Sequence, residues 1–242
     1  MKKYKSMLIA SGILFTLFII ITALTLTGVF SPVEDWAFRV ADAIGYPRFR
    51  EEVVFFARLG WWWVVITMAF ILLVLPWTRR RFAIPMFLSF GLATIATIIV
   101  KVAANRTRPR GYGSFLTSSF PSGHTMNSTS FYIAGVIILF FMVKQRKWVI
   151  PFIVMGILLP FSISISRVYT KSHFLGDILA GWTLGAAIAL ASIVLWQLIA
   201  QFSNWFTATK FTDFKFLRWL HKFTFPEEFW EAPKIEEVQS EN

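Results

Sequence analysis

Six apolar runs of close to membrane-spanning length, at residues 7–27, 60–77, 82–100, 125–143, 148–165 and 178–201, constrain this chain more than any other feature. Hydrocarbon offers no water to bond with exposed amides and carbonyls, so a run of about 20 apolar residues must satisfy its own backbone by forming a helix. The runs predict an all-α polytopic membrane protein with six transmembrane helices. Composition agrees, since 56% of the 242 residues are hydrophobic and only 15% are charged, a balance outside the soluble-domain range. The first run is too long for a cleavable signal segment, and residues 28–30 supply no small-residue cleavage site, so it is expected to remain as a helix. Residues 31–58 mix acidic, basic and aromatic side chains. They predict a partly helical connector lying along the interface and broken at Pro47.

The net charge of +11 does not point to nucleic acid, because the basic residues stand between apolar runs rather than on one soluble face. Such placement fits cytoplasmic-loop retention and contact with anionic lipid or phosphate. In a six-helix arrangement Lys2, Lys3 and Lys5, Arg79 to Arg81, and Lys144, Arg146 and Lys147 share one side. The positive-inside bias makes that side cytoplasmic and the protein a multi-pass component of the cell membrane. Residues 1–201 then form the membrane domain and residues 202–242 a cytoplasmic interfacial tail. In the tail Phe211, Phe214, Leu217, Leu220 and Phe223 are spaced for one helix face against Lys215, Arg218 and Lys222. Without cysteine there is no disulfide, thiolate metal site or cysteine nucleophile.

Two crossings separate the loop after the third run from the loop after the fifth, so both emerge on the same, extracytoplasmic face. Lys101, Arg106, Arg108, Arg110, Arg167 and Lys171 lie there against the usual loop bias, which calls for a reason other than topology. If the third helix continues past Val100, Lys101 and Arg108 project from one face two turns apart. As a pair they suit phosphoryl oxygens, and equally suit two snorkelling interfacial cations. Pro121-Ser122-Gly123-His124 leads into the fourth helix, where Ser122 is placed to cap and Gly123 lets a ligand approach the backbone. The exposed amides of such a helix start attract an anion, with His124 beside it as a proton donor; a plain cap followed by an interfacial histidine explains the same residues.

Ser166-Arg167 closes the fifth helix, and His173 precedes Asp177 by four residues. On a helix that spacing sets imidazole beside carboxylate, which can hold one tautomer and leave the other nitrogen free to attack phosphorus. A simple satisfied pair has the same spacing. A metal site built on His124, His173 and Asp177 is disfavoured by the surrounding cations, and no Gly-x-Ser-x-Gly elbow is present for a serine hydrolase.

Together the clusters read Lys-x6-Arg-Pro, Pro-Ser-Gly-His and Ser-Arg-x5-His-x3-Asp, and this set resembles the three-part signature of the type 2 phosphatidic acid phosphatases, integral-membrane lipid phosphate phosphatases. The resemblance implies hydrolysis of a lipid phosphate or diphosphate: a polyprenyl diphosphate, phosphatidylglycerol phosphate or phosphatidic acid. It further implies that His173 is the nucleophile forming a phosphohistidine, that Asp177 orients it, and that His124 protonates the leaving oxygen. Lys101, Arg108, Ser122, Gly123 and Arg167 would hold the phosphoryl group, with no metal and no cofactor. A lipid phosphotransferase using the same site is the alternative within this class, and a lipid transporter the alternative outside it. Lys171, two residues before His173, adds a cation that would favour a more anionic head group such as a diphosphate.

Overall fold

The computed structural model describes residues 2–45, 49–60, 62–74, 82–109, 118–142 and 146–201. Every regular element among them is helical: α1 (Lys2–Leu26), α2 (Ser31–Ile44), α3 (Arg50–Leu59), α4 (Trp62–Val74), α5 (Ile84–Ala104), α6 (Gly123–Met142), α7 (Arg146–Tyr169) and α8 (Leu175–Gln201). Each apolar run thus corresponds to a helix. Four of them, at Tyr4–Leu26, Ile84–Ala104, Val149–Tyr169 and Leu175–Ile199, are long and apolar enough to cross a membrane. The all-helical membrane class expected from the runs stands. The tail at 202–242 and its amphipathic helix lie outside the described residues.

The bundle is organised around α8, which packs against α1, α5 and α6, while α6 also contacts α5 and α7. Over half of the apolar span of α8 is buried, against about a tenth of α1. Close approach explains the central position. A Cβ on Gly181 would stand 2.9 Å from Thr125 Cγ2, and one on Gly185 only 2.7 Å from the Met126 carbonyl oxygen. Two glycines four residues apart therefore let the backbones of α8 and α6 meet along a seam, as small residues do where no hydrophobic effect drives helices together.

Polar side chains add cross-helix bonds. Ser89 and Ser130 hydroxyls lie 2.6 Å apart between α5 and α6, the Trp182 indole donates to Ser164 Oγ at 2.9 Å between α8 and α7, and Ser11 Oγ donates to the Ala187 carbonyl at 2.9 Å between α1 and α8. Large apolar residues such as Ile9, Ile13 and Ile19 of α1 and Ile95, Ile99 and Val102 of α5 remain on the outside. In a membrane protein that surface belongs to the lipid.

The connector divides as expected into α2 and α3, with Pro47 itself outside the described residues. Helix α2 is amphipathic. Val33, Trp36, Val40 and Ile44 are exposed along one side while Glu34 and Ala41 are buried on the other, a pattern suited to the membrane interface.

Candidate active site

The segment following α5 departs from the sequence expectation. Helix α5 stops at Ala104, because Asn105 takes a left-handed conformation (φ 42°) and returns its N–H to the Lys101 carbonyl at 3.1 Å. Asparagine tolerates this conformation better than other side-chain-bearing residues, so it ends the helix as a glycine would. Lys101 consequently sits in the last helical turn, whereas Arg108 stands in non-helical chain and not two turns further along the same helix face.

The chain is then tied back on itself. The Arg106 amide donates to Ser118 Oγ at 3.0 Å, the Ser119 amide donates to the Arg106 carbonyl at 2.8 Å, and the Lys101 ammonium donates to the Ser118 carbonyl. These bonds hold the Lys101 segment against the start of α6.

At that start the Ser122 carbonyl accepts the Met126 amide at 2.9 Å, the first bond of α6. Ser122 is fully buried, and its hydroxyl accepts from the Thr125 hydroxyl at 3.1 Å. The serine thus occupies the cap position, with its side chain paired to a neighbouring hydroxyl. Its own amide donates to the Asp177 carbonyl at 3.1 Å, which joins the second cluster to the third. A Cβ on Gly123 would rest at ordinary contact distance, 3.4 Å from Thr97 Cγ2 and 4.0 Å from Lys101 Cε. The fold itself therefore does not demand glycine there. His124 follows, with its Nε2 buried and lacking a hydrogen-bond partner. Buried polar atoms are rarely left so, and Lys101, Arg108 and Arg167 all act on this imidazole with positive charge.

The third cluster is a tight turn. The Arg167 carbonyl accepts amides from both Ser172 (2.9 Å) and His173 (3.2 Å), with Lys171 left-handed at φ 51°. His173 therefore precedes α8 rather than lying on it, and the turn brings its ring to Asp177 in the first turn of the helix. Nδ1 of His173 is 2.8 Å from the Ser119 carbonyl oxygen and 3.4 Å from Asp177 Oδ2. A carbonyl only accepts, so Nδ1 carries the proton and Nε2 the lone pair. The tautomer expected from Asp177 is present, but a backbone carbonyl holds it more closely than the carboxylate does. Burial pulls the His173 pKa down to about 4, while Asp177 opposes the shift and Arg167 and Arg108 reinforce it. The imidazole is neutral near pH 7.

Asp177 itself is fully buried. Its Oδ2 accepts the Phe174 amide at 2.9 Å, and its Oδ1 accepts from Arg106 Nη1 at 2.7 Å. The other guanidinium nitrogen of Arg106, Nη2, donates to Glu34 Oε2 at 2.6 Å. Arg106 lies inside the spacer of the first cluster, and Glu34 lies on the connector. Neither belongs to the three motifs, and nothing in the sequence singles out Glu34 among the acidic residues of the connector. At the rim Lys171 pairs with Asp42 at 2.7 Å, so its extra charge is matched by an acid. Arg110 falls outside the described residues.

All three clusters therefore meet at one end of the bundle, where α5, α6 and α8 converge. The site gathers a neutral buried imidazole, a second imidazole with an unpartnered nitrogen, a helix start and several cations. Such a set matches a tetrahedral dianion.

Comparison with known proteins agrees. An undecaprenyl-diphosphatase of Sulfolobus acidocaldarius is 28% identical over 149 residues, covering 58% of this chain and 68% of that protein. Phosphatidylglycerophosphatase B of Bacillus subtilis is 29% identical over 180 residues, covering 71% and 87%. The crystal structure of a transmembrane PAP2-type phosphatidylglycerolphosphate phosphatase from Bacillus subtilis superposes with a TM-score of 0.68 at 24% identity, over 80% of this chain and 98% of that one, and so shares the fold. The family model described as PAP2 superfamily matches residues 82–201, the stretch that carries all three clusters, and the chain belongs to that superfamily.

Proposed function

We propose that this protein hydrolyses a lipid phosphate or diphosphate through a phosphohistidine on His173. The observation that carries the reading is the His173 ring: Nδ1 is engaged by the Ser119 carbonyl, which leaves Nε2 as the basic, nucleophilic nitrogen of a buried neutral imidazole. Its relatives named as phosphatases of undecaprenyl diphosphate and phosphatidylglycerol phosphate support the substrate class.

In the first step the Nε2 lone pair forms an N–P bond as the P–O bond to the leaving lipid oxygen breaks, and His124 delivers a proton to that oxygen. A proton on His124 beside Lys101, Arg108 and Arg167 calls for a compensating anion, and the phosphoryl group is that anion. In the second step water attacks phosphorus, His124 takes its proton, the N–P bond breaks, and inorganic phosphate leaves. Lys101, Arg108, Arg167 and the amides at the start of α6 hold the three non-bridging oxygens. Catalysis of this kind is chiefly positioning and charge stabilisation. Asp177 compensates the positive charge that His173 acquires.

The reading extends to topology. Six helices cross the membrane, the site opens on the extracytoplasmic face, and the lipid tail remains in the bilayer between helices while the head group reaches the cations.

Phosphate release by purified protein in detergent, with EDTA present, tests this. Wild-type protein is expected to turn over phosphatidic acid, phosphatidylglycerol phosphate or a polyprenyl diphosphate, and His173→Ala to lose activity almost completely. Full turnover by His173→Ala would overturn the nucleophile assignment, and abolition by EDTA would overturn the metal-free chemistry.

A further inference from the structure

Helix α2 lies outside the stretch matched by the family model, yet one of its faces is built onto the catalytic turn. Glu34, Phe38 and Asp42, spaced four residues apart, form a single stripe. Glu34 receives Arg106 Nη2 at 2.6 Å and the Gly176 amide at 3.2 Å. Phe38 packs on Phe174, the residue after His173, with ring centroids 5.5 Å apart. Asp42 pairs with Lys171 at 2.7 Å. The Arg106 guanidinium lies over the Phe174 ring, 4.1 Å from its centroid. The turn that carries His173 is thus gripped at three points by an element with no part in the signature.

The Glu34 contact has the largest chemical consequence. An arginine facing a lone carboxylate tends to fork onto both oxygens. Here Nη2 is taken by Glu34, so Arg106 reaches Asp177 through Nη1 and Oδ1 alone. Asp177 Oδ2 is left for the Phe174 amide and the His173 imidazole. Two carboxylates sharing one guanidinium also leave one net negative charge beside His173, equal and opposite to the charge the ring gains on phosphorylation. Glu34 is 2% exposed, so water does not substitute for it.

The geometry points to Glu34 as a positioning residue for phosphoryl transfer, acting through Arg106 to keep one oxygen of Asp177 directed at His173. The inference rests on the proposed phosphohistidine reading. The role belongs to the chemical step and not to substrate grip, because Glu34 bonds the guanidinium that holds Asp177 and the Gly176 amide of the same turn.

Glu34→Gln keeps the shape of the side chain and removes its charge. With phosphatidic acid in detergent micelles, kcat per folded molecule is expected to fall about 10- to 100-fold, the scale of a small misplacement at a reacting group. KM and inhibition by inorganic phosphate should change by less than about threefold, and Glu34→Asp should recover part of the lost kcat. A merely structural role would lower the melting temperature and the folded fraction while leaving kcat per folded molecule intact. That result, or a rise in KM at constant kcat, would overturn the proposal. If Glu34→Gln does not fold, wild-type kcat in Glu34→Asp would overturn it as well. His173→Ala run in parallel separates the two readings, since activity in that variant removes the nucleophile assignment itself.

Discussion

Replacing Asp177 by asparagine probes the charge that faces His173, the proposed nucleophile. The carboxylate stands 3.4 Å from His173 Nδ1. At an effective dielectric of about 20, a full positive charge on the ring at that distance is worth about 5 kcal/mol. Arg106 bonds the same carboxylate at 2.7 Å and cancels part of its field. With Glu34 included, the trio changes from one net negative charge to none. Taking about half of the bare value, Asp177→Asn is expected to raise the barrier to phosphohistidine formation by about 2–3 kcal/mol, a loss of about 100-fold in rate.

A structural cost accompanies the loss of rate. The amide must turn an N–H toward either Arg106 or the Phe174 amide, both donors, so one buried donor loses its acceptor at about 1–3 kcal/mol of stability. Rapid-mixing measurement of the first turnover, with folded protein quantified by its melting curve, separates the two effects. A first-turnover rate within about threefold of wild type would refute the electrostatic reasoning, and would leave the Ser119 carbonyl as a sufficient support for the ring.

Protonation of His173 removes the lone pair that the proposed phosphohistidine step requires, and burial holds its pKa below the ordinary imidazole value. Histidine resonances titrated by NMR, with His173 assigned by its loss in His173→Gln, should show this ring neutral down to near pH 4. A midpoint at or above about 6.5 would contradict the buried neutral nucleophile. Gly185→Ala places a Cβ 2.7 Å from the Met126 carbonyl and 3.1 Å from Thr129 Cβ. Forcing the α6–α8 seam apart should cost about 1–3 kcal/mol and shift the first turn of α6, which carries His124. A melting temperature equal to wild type would show that the seam is not close-packed.

Much of the candidate site's geometry was legible because local spacing decides which side chains a turn brings together. The five residues between Arg167 and His173 are those a turn needs for the Arg167 carbonyl to collect the Ser172 and His173 amides. The lengths of the apolar runs likewise foretold the helices. The Arg108 placement failed because the stop at Asn105 depends on a left-handed residue that hydrophobic periodicity does not report. The Ser119 carbonyl was invisible for another reason, since every residue has a backbone acceptor and only the tertiary fold selects one. Glu34 sits 143 residues before Asp177 in sequence, and its meeting with Arg106 depends on how α2 lies across the end of the bundle.

The most direct test traps the phosphoenzyme. Wild-type protein mixed with a lipid phosphate labelled with radioactive phosphorus and quenched in base within the first turnover should carry label that survives base and is released by acid, as a phosphoramidate is. The label should map to His173 and be absent from His173→Gln. Turnover without any labelled protein, or label that persists in His173→Gln, would contradict the phosphohistidine pathway.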